Sequence, residues 1–268
     1  MTSYLHLDNE DTIVRPLANH LRSTYVNDYK NLINYSSLNP VIFRGMAGRK
    51  IVEACDRQGR SYYYIDTGYI GNMQKRKDWH RIVINGMQHS TPNFNCPSDR
   101  FDRIAEYKPY LNFPGWKKSG SAILLVTPSE KPCKFYGIDR DTWVTKTIKE
   151  IKQYTDRPII VRDKVNRRDR VGDGSLYNQL DEDNIYAVVT YNSIAATEAI
   201  GYGVPCFTLA PNAADIFCEK DLSKIETPKY SDPEQVTKWQ HWLAYCQYLP
   251  TEMKDGTAMQ LIKEYNIS

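Results

Sequence analysis

Cysteine is sparse and scattered in this chain. Its six thiols, Cys55, Cys96, Cys133, Cys206, Cys218 and Cys246, contain no C-x-x-C pair. That spacing excludes a zinc ribbon and a disulfide framework, and a reduced compartment is the simplest expectation. Long apolar runs are missing too: no stretch approaches the roughly 18 apolar residues needed to cross a bilayer. The opening segment MTSYLHLDNEDTIV lacks the basic and then apolar pattern of a secretory signal. The expectation is a cytoplasmic protein without membrane contact, whose oligomeric state the sequence leaves open. Charge of one sign is also scarce, with a net +3 over 268 residues. It is uneven, however. Residues 1–118 hold 17 Lys+Arg against 11 Asp+Glu, and residues 119–268 hold 18 against 21. The first half is the one suited to meet a polyanion, although a solvated basic face accounts for the same numbers.

Tyrosine is plentiful, at 20 residues. Tyrosines suit polar clefts that stack sugars or bases, and equally a tyrosine-rich core. The composition is otherwise that of a globular protein, with 41% hydrophobic and 25% charged residues.

The most informative stretch is YAVVTYNSIAATEAIGYGVPCFTL, Tyr186 to Leu209. Tyr186–Thr190 has the apolar, β-branched content of a buried parallel strand. Asn192 and Ser193 are N-cap residue types, and Ile194–Ile200 supplies about two turns of helix. Gly201 and Gly203 stop it, and Pro205 opens another strand. A strand–turn–helix unit of this kind presents backbone N–H groups at the carboxyl end of a strand, where open α/β sheets bind phosphates. Thr197 and Glu198 are polar on an otherwise small, apolar helix. Glu198 falls about one and a half turns from Asn192, within reach of a ligand hydroxyl.

Earlier in the chain, Pro40 introduces the strand Val41–Phe43. It runs into Arg44-Gly45, a helix over Arg49–Arg57, and a strand Tyr62–Ile65 ending in Asp66-Thr67-Gly68-Tyr69. This is a βαβ unit, and both turns fall at one sheet edge. Asp66, at a strand's carboxyl end, is a candidate general base; the alternative is a turn-capping Asp-x-Gly. His89, beyond the strand Arg81–Ile84 and the Asn85-Gly86 turn, is a second candidate base, ranked below Asp66. Lys75, Arg76 and Lys77 form a basic cluster next to Trp79, a combination that holds phosphates and stacks a base, or simply makes an exposed loop. Residues 12–14 read as a short strand, Leu17–Ile33 as an amphipathic helix, and 90–118 as loop and linker.

In the second half, Ala122–Val126 is a strand and Asp141–Tyr154 a helix with one apolar face. Pro158–Val161 is a strand that ends at Arg162-Asp163-Lys164. Arg162 and Lys164 stand where basic side chains grip a diphosphate, or form a solvated loop. Helices over Leu176–Leu180, Asp232–Tyr248 and Ala258–Tyr265 complete the reading.

The order strand, helix, strand with basic end, short helix, strand, Asn-Ser turn, helix with Glu and Gly-Val-Pro strand resembles the donor domain of GT-B glycosyltransferases over about residues 120–210. The pieces VIFRG, GRSYYYIDTGYIGN and HRIVINGMQ resemble compact bacteriophage transferases that glucosylate or arabinosylate hydroxymethylcytosine in DNA. The resemblance implies an α/β, GT-B-like fold: two Rossmann-like domains facing each other across a cleft, 1–118 for the acceptor and 119–268, with its C-terminal helices, for the donor. A C-terminal helix in that family often crosses back to brace the first domain. It also implies a nucleotide-sugar donor, UDP-linked in the first instance, and double-stranded DNA as acceptor, with no metal or other cofactor required. Asn192, Ser193 and Thr197 then match phosphate-facing positions and Glu198 the hydroxyl-binding one, with Arg162 and Lys164 beside them. Arg44, Tyr69, Lys75, Arg76 and Lys77 fall on the acceptor side. A polysaccharide glycosyltransferase, a sugar-nucleotide epimerase and a non-catalytic nucleotide-sugar-binding protein are the rival readings.

Overall fold

The computed structural model describes residues 3–7, 10–28, 38–45, 49–72, 78–163 and 176–268. Ten strands form two sheets among these residues. The first has the order β10-β5-β4-β3-β1-β2 and the second β7-β6-β8-β9. In the first sheet, β1 (Leu5–His6), β2 (Thr24–Tyr25), β3 (Val41–Arg44) and β4 (Tyr62–Thr67) are parallel; β5 (His80–Ile84) and β10 (Gln247–Tyr248) run antiparallel to their neighbours. The second sheet is wholly parallel, built from β6 (Ala122–Val126), β7 (Ile159–Arg162), β8 (Ile185–Thr190) and β9 (Cys206–Thr208). This is the two-unit, Rossmann-like α/β architecture that the sequence reading expects.

The strands form where apolar side chains run without interruption. Every residue of β6 and of β8 is buried, as in a parallel sheet covered on both faces. Helix α2 (Arg49–Gln58) links β3 to β4 in the expected βαβ unit, and Arg44 pairs with Ile65 in the register. The carboxyl ends of β3 and β4 therefore share one edge.

Three expectations need correction. Residues 12–14 are not a strand: Asp11 Oδ1 accepts from the N–H groups of Ile13 (2.7 Å) and Val14 (3.1 Å) and starts helix α1, Val14–His20. That helix ends well before Ile33. Arg22 turns left-handed at φ 50°, and Ser23 Oγ, within 2.8 Å of His6 Nδ1 and donating to Ala18 O, turns the chain into β2. Within the expected loop 90–118, Asp99–Ala105 is helix α3, with Phe101, Ile104 and Ala105 buried on one side.

The remaining helices are α4 (Glu130–Tyr136), α5 (Arg140–Ile151), α6 (Leu176–Glu182), α7 (Ala195–Gly201), α8 (Pro233–Tyr245), α9 (Pro250–Asp255) and α10 (Thr257–Glu264). Asp139 caps α5 by accepting from Thr142 N at 2.8 Å, two residues before the expected start. Helix α8 ties the halves together. Trp239 and Trp242 are buried, Trp239 Nε1 donates to Ala213 O (3.0 Å), and Gln240 Nε2 donates to Leu111 O (2.6 Å). The chain then crosses back, and β10 joins the edge of the first sheet beside β5. Among the described residues no helix is long and apolar enough to cross a membrane.

Candidate active site

The site is built from the carboxyl ends of strands in both sheets. On the first side, Asp66 is the penultimate residue of β4. Its Oδ1 accepts from Thr67 N (2.7 Å), and its Oδ2 accepts from Tyr64 Oη (2.6 Å) and Arg81 Nη2 (3.2 Å). Arg81, on β5, pairs directly with Asp66 of β4 in the register. Its guanidinium lies between the rings of Tyr64 and Tyr69, 5.7 and 5.1 Å from their centroids, and Nη1 donates to Thr67 O at 2.6 Å. The Arg81 side chain is only 4% exposed and that of Asp66 28%, so the cation is interior while the carboxylate is partly open to solvent. Burial lowers the guanidinium pKa, but the charge of Asp66 leads the opposing causes, and the net direction is upward.

Helix α7 on the second side opens as the sequence implies, with one difference in its cap. The N-cap position is Ile194, which has no side-chain cap bond. Ser193 Oγ accepts from Ala195 N at 3.3 Å, and Ser193 O is held by Asn212 Nδ2 at 2.9 Å. Asn192 is buried, and its side chain hydrogen-bonds the Tyr136 phenol. Thr197 is buried and donates its hydroxyl to Ile194 O (2.7 Å), inside the helix and away from the phosphate-facing position expected of it. Glu198 is half-buried, and its charge adds to burial in raising the Tyr177 pKa. Arg162 ends β7 and donates to Gln179 Oε1 of α6.

The two sides meet at Tyr136, the last residue of α4. Its phenol contacts Asn192, and its ring lies edge-on to Tyr191 at 5.4 Å. Burial raises the Tyr136 pKa, while the Asn192 hydrogen bond and the Arg81 charge oppose the rise. Asp66 and Arg81 thus form one bonded pair and Tyr136 and Asn192 a second, and the charge of Arg81 is felt at the Tyr136 phenol.

Other expected residues lie elsewhere. His89 is fully buried. Its Nε2 donates to Ile82 O (3.0 Å), which leaves Nδ1 to accept from Tyr69 Oη (3.0 Å). Burial, with the Arg81 charge adding, pushes its pKa down to about 3. With both ring nitrogens engaged in the core, His89 has no route to an acceptor proton and acts as a strut. Tyr69 is also buried, and it supports Arg81 instead of presenting its ring to a ligand. Arg44 is turned toward Asp11, its Nη1 2.8 Å from Oδ2. Lys164, Lys75, Arg76 and Lys77 lie outside the described residues. Among the described residues no cluster of His, Cys, Asp and Glu has a metal-holding arrangement.

Sequence reasoning missed Arg81, Tyr136 and Arg140. Arg140 Nη2 pairs with Asp163 and lies 3.4 Å from Thr127 Oγ1, at the same strand ends as Arg162. The one available signal for Arg81 was a charged residue within an apolar strand.

No protein-family model and no curated protein matches the sequence. Solved structures do resemble it. A Thermosulfurimonas dismutans KpsC β-Kdo 2,7 transferase superimposes with a TM-score of 0.53 at 11% identity, over 88% of this chain and 89% of that one. A KpsC β-Kdo 2,4 transferase from the same organism gives 0.51 at 12% identity, over 98% of each chain. At these identities the likeness is one of fold, and it extends over both units.

Proposed function

We propose that the protein is a glycosyltransferase that moves a sugar from a nucleotide-sugar, UDP-linked in the first instance, to a hydroxyl on a glycan. The observation that carries this reading is Asp66, held by Arg81 at the carboxyl end of β4, with the charge of Arg81 acting on Tyr136, whose phenol meets Asn192 just before α7. In an inverting transfer the acceptor oxygen forms its bond to the anomeric carbon as the bond to the diphosphate breaks. Asp66 takes the acceptor proton, and the departing charge is met by the start of α7 and by Arg162. Glu198 binds a hydroxyl of the donor. The whole-chain likeness to two saccharide transferases supports a glycan acceptor.

A second reading, hydroxymethylcytosine in double-stranded DNA, rests on the basic balance of residues 1–118. Three of those cations, Arg60, Arg81 and Arg100, are each only 3% exposed, so they are withdrawn from any DNA-facing surface.

The test is a consumption assay over UDP-, GDP-, dTDP- and CMP-sugars, with glycan or hydroxymethylcytosine DNA as acceptor. Glycan-dependent consumption that Asp66→Asn reduces by about a hundredfold or more supports the reading. Near-full transfer by Asp66→Asn removes Asp66 as base, and unchanged nucleotide-sugar affinity in Glu198→Ala removes the donor assignment.

A further inference from the structure

An open depression of about 240 Å³ lies between the two units, lined by Arg49, Val52 and Glu53 of α2 and by Phe135 and Tyr136 of α4. It is smaller than the roughly 300 Å³ at which drug-sized sites begin, which suits one small ring. Its polar groups are a guanidinium and a carboxylate one helical turn apart: Arg49 Nε lies 2.8 Å from Glu53 Oε1, with both side chains about half exposed, at 50% and 51%. An ion pair so exposed contributes little to stability and gives up its partners to a ligand at small cost. Arg49 also reaches across the cleft, since a Cβ built on Gly137 would lie 3.4 Å from its Nη1. Tyr136 borders this depression while its hydroxyl contacts Asn192 at the mouth of α7.

We infer that this depression is a subsite for one sugar ring of the acceptor, an inference that rests on the glycosyltransferase reading above. Paired planar donor and acceptor groups bind vicinal hydroxyls, and an aromatic face packs against the C–H side of a pyranose. Charge and ring geometry both favour a sugar over a nucleotide. Arg49 is offset by Glu53, so the walls of the depression are neutral and offer a phosphate no net attraction. The Phe135 and Tyr136 rings are 68° apart, which leaves no parallel slot to sandwich a base.

The experiment is saturation-transfer NMR on the full chain, with the methyl glycosides of glucose, galactose and N-acetylglucosamine, and 5-hydroxymethyl-2′-deoxycytidine as the competing class. UDP affinity is measured in parallel. Saturation should pass to a methyl glycoside, and Arg49→Ala and Glu53→Ala should each weaken that binding about tenfold while UDP affinity stays within about twofold. Tyr136→Leu should remove the saccharide contact. Equal glycoside binding in all three variants overturns the inference, and so does Tyr136-dependent binding of the nucleoside alone. UDP binding with no glycoside bound sinks the subsite and spares the donor half of the proposed function. Failure to bind or consume any nucleotide-sugar sinks that function, while the glycoside contacts still decide the subsite.

Discussion

Arg81 donates to Asp66 from the neighbouring strand, Nη2 to Oδ2 at 3.2 Å, with its own side chain interior and that of Asp66 partly exposed. The same guanidinium donates to Thr67 O, so it grips the end of β4 at two points. A carboxylate fixed by Tyr64, Arg81 and Thr67 loses little rotamer freedom when an acceptor arrives. In the proposed transfer, Arg81 would therefore act as a positioning residue for Asp66.

Arg81→Lys keeps the charge and loses the planar fork. The expected outcome is a folded protein whose kcat falls by about tenfold or more, with donor KM little changed. Arg81→Met strands Asp66 beside an apolar side chain and should cost stability as well, about 3 kcal/mol by the behaviour of broken buried pairs. Thermal denaturation of both variants, alongside donor and acceptor kinetics, checks this. Unchanged kcat in Arg81→Lys would dismiss the positioning role.

His89 supplies a pH dependence whose sign follows from its burial. Its pKa in the folded protein, about 3, lies below the ordinary 6.5. The unfolded chain thus binds the proton more readily between those values. His89 costs no stability above pH 6.5, and stability falls as pH drops from there toward 3, by about 1.4 kcal/mol per pH unit for this one group. Urea denaturation of the wild type and His89→Gln across that window should show a shallower slope in the variant. Equal slopes would remove His89 as the source. No transfer-rate inflection should be traceable to His89.

Much of this fold was legible because its signals are local. The β8–α7–β9 unit announces itself by a continuous apolar strand, small polar residues, a short helix and a glycine stop, and it forms within a residue or two of the expected bounds. Helix α3 was hidden among prolines, although Phe101, Ile104 and Ala105 already carry helical spacing. Helix α4 was not read from the sequence; its Pro132 falls in the first turn, where a missing N–H costs no helical bond. The site was legible as strand ends and no further. A charged residue in a strand reads as exposed, yet Arg81 is interior because Asp66 and two tyrosines receive it. Tyr136 reaches Asn192 only through the packing of α4 against the turn after β8, which no local pattern encodes.

Gly203 is a position that neither shape nor conformation lets another residue take. It is left-handed at φ 80°, and a Cβ there would fall 2.0 Å from Gly115 O. Gly203 O accepts from Lys117 N at 2.7 Å, so the linker between the units lies directly on the α7–β9 turn. Gly203→Ala must displace backbone, which is expected to cost about 2 kcal/mol or more. Gly115 faces open space, and Gly115→Ala should cost less, paying only for its own φ of 92°. Denaturation midpoints that rank the two variants in the opposite order would contradict this account of the linker.

The return of the chain to the first sheet depends on Arg100. Its Nη1 and Nη2 donate to Glu252 Oε1 (2.7 Å) and Oε2 (3.0 Å), Nε donates to Ala244 O, and Nη2 also reaches Gln247 O. A single guanidinium thus holds the end of α8, strand β10 and helix α9 against α3. The pair is enclosed, with side chains 4% and 14% exposed, so removing one partner leaves a charge without compensation. Glu252→Gln keeps the shape and one acceptor, and it also weakens the bond that Leu249 N makes to Oε2. We expect it to lower stability by about 2–3 kcal/mol. Arg100→Met, which removes four donated bonds, should lower it more. Gln247, accepting from Tyr69 N and Ile70 N, and Tyr245, donating to Asp99, also hold this junction, and loss of the Arg100–Glu252 pair should loosen the tail before the rest of the chain unfolds. Hydrogen exchange of β10 and α9 should therefore rise in Glu252→Gln while β6 and β8 stay protected. Uniform acceleration across both sheets would mean that the tail is not a separable brace and that the two units unfold as one.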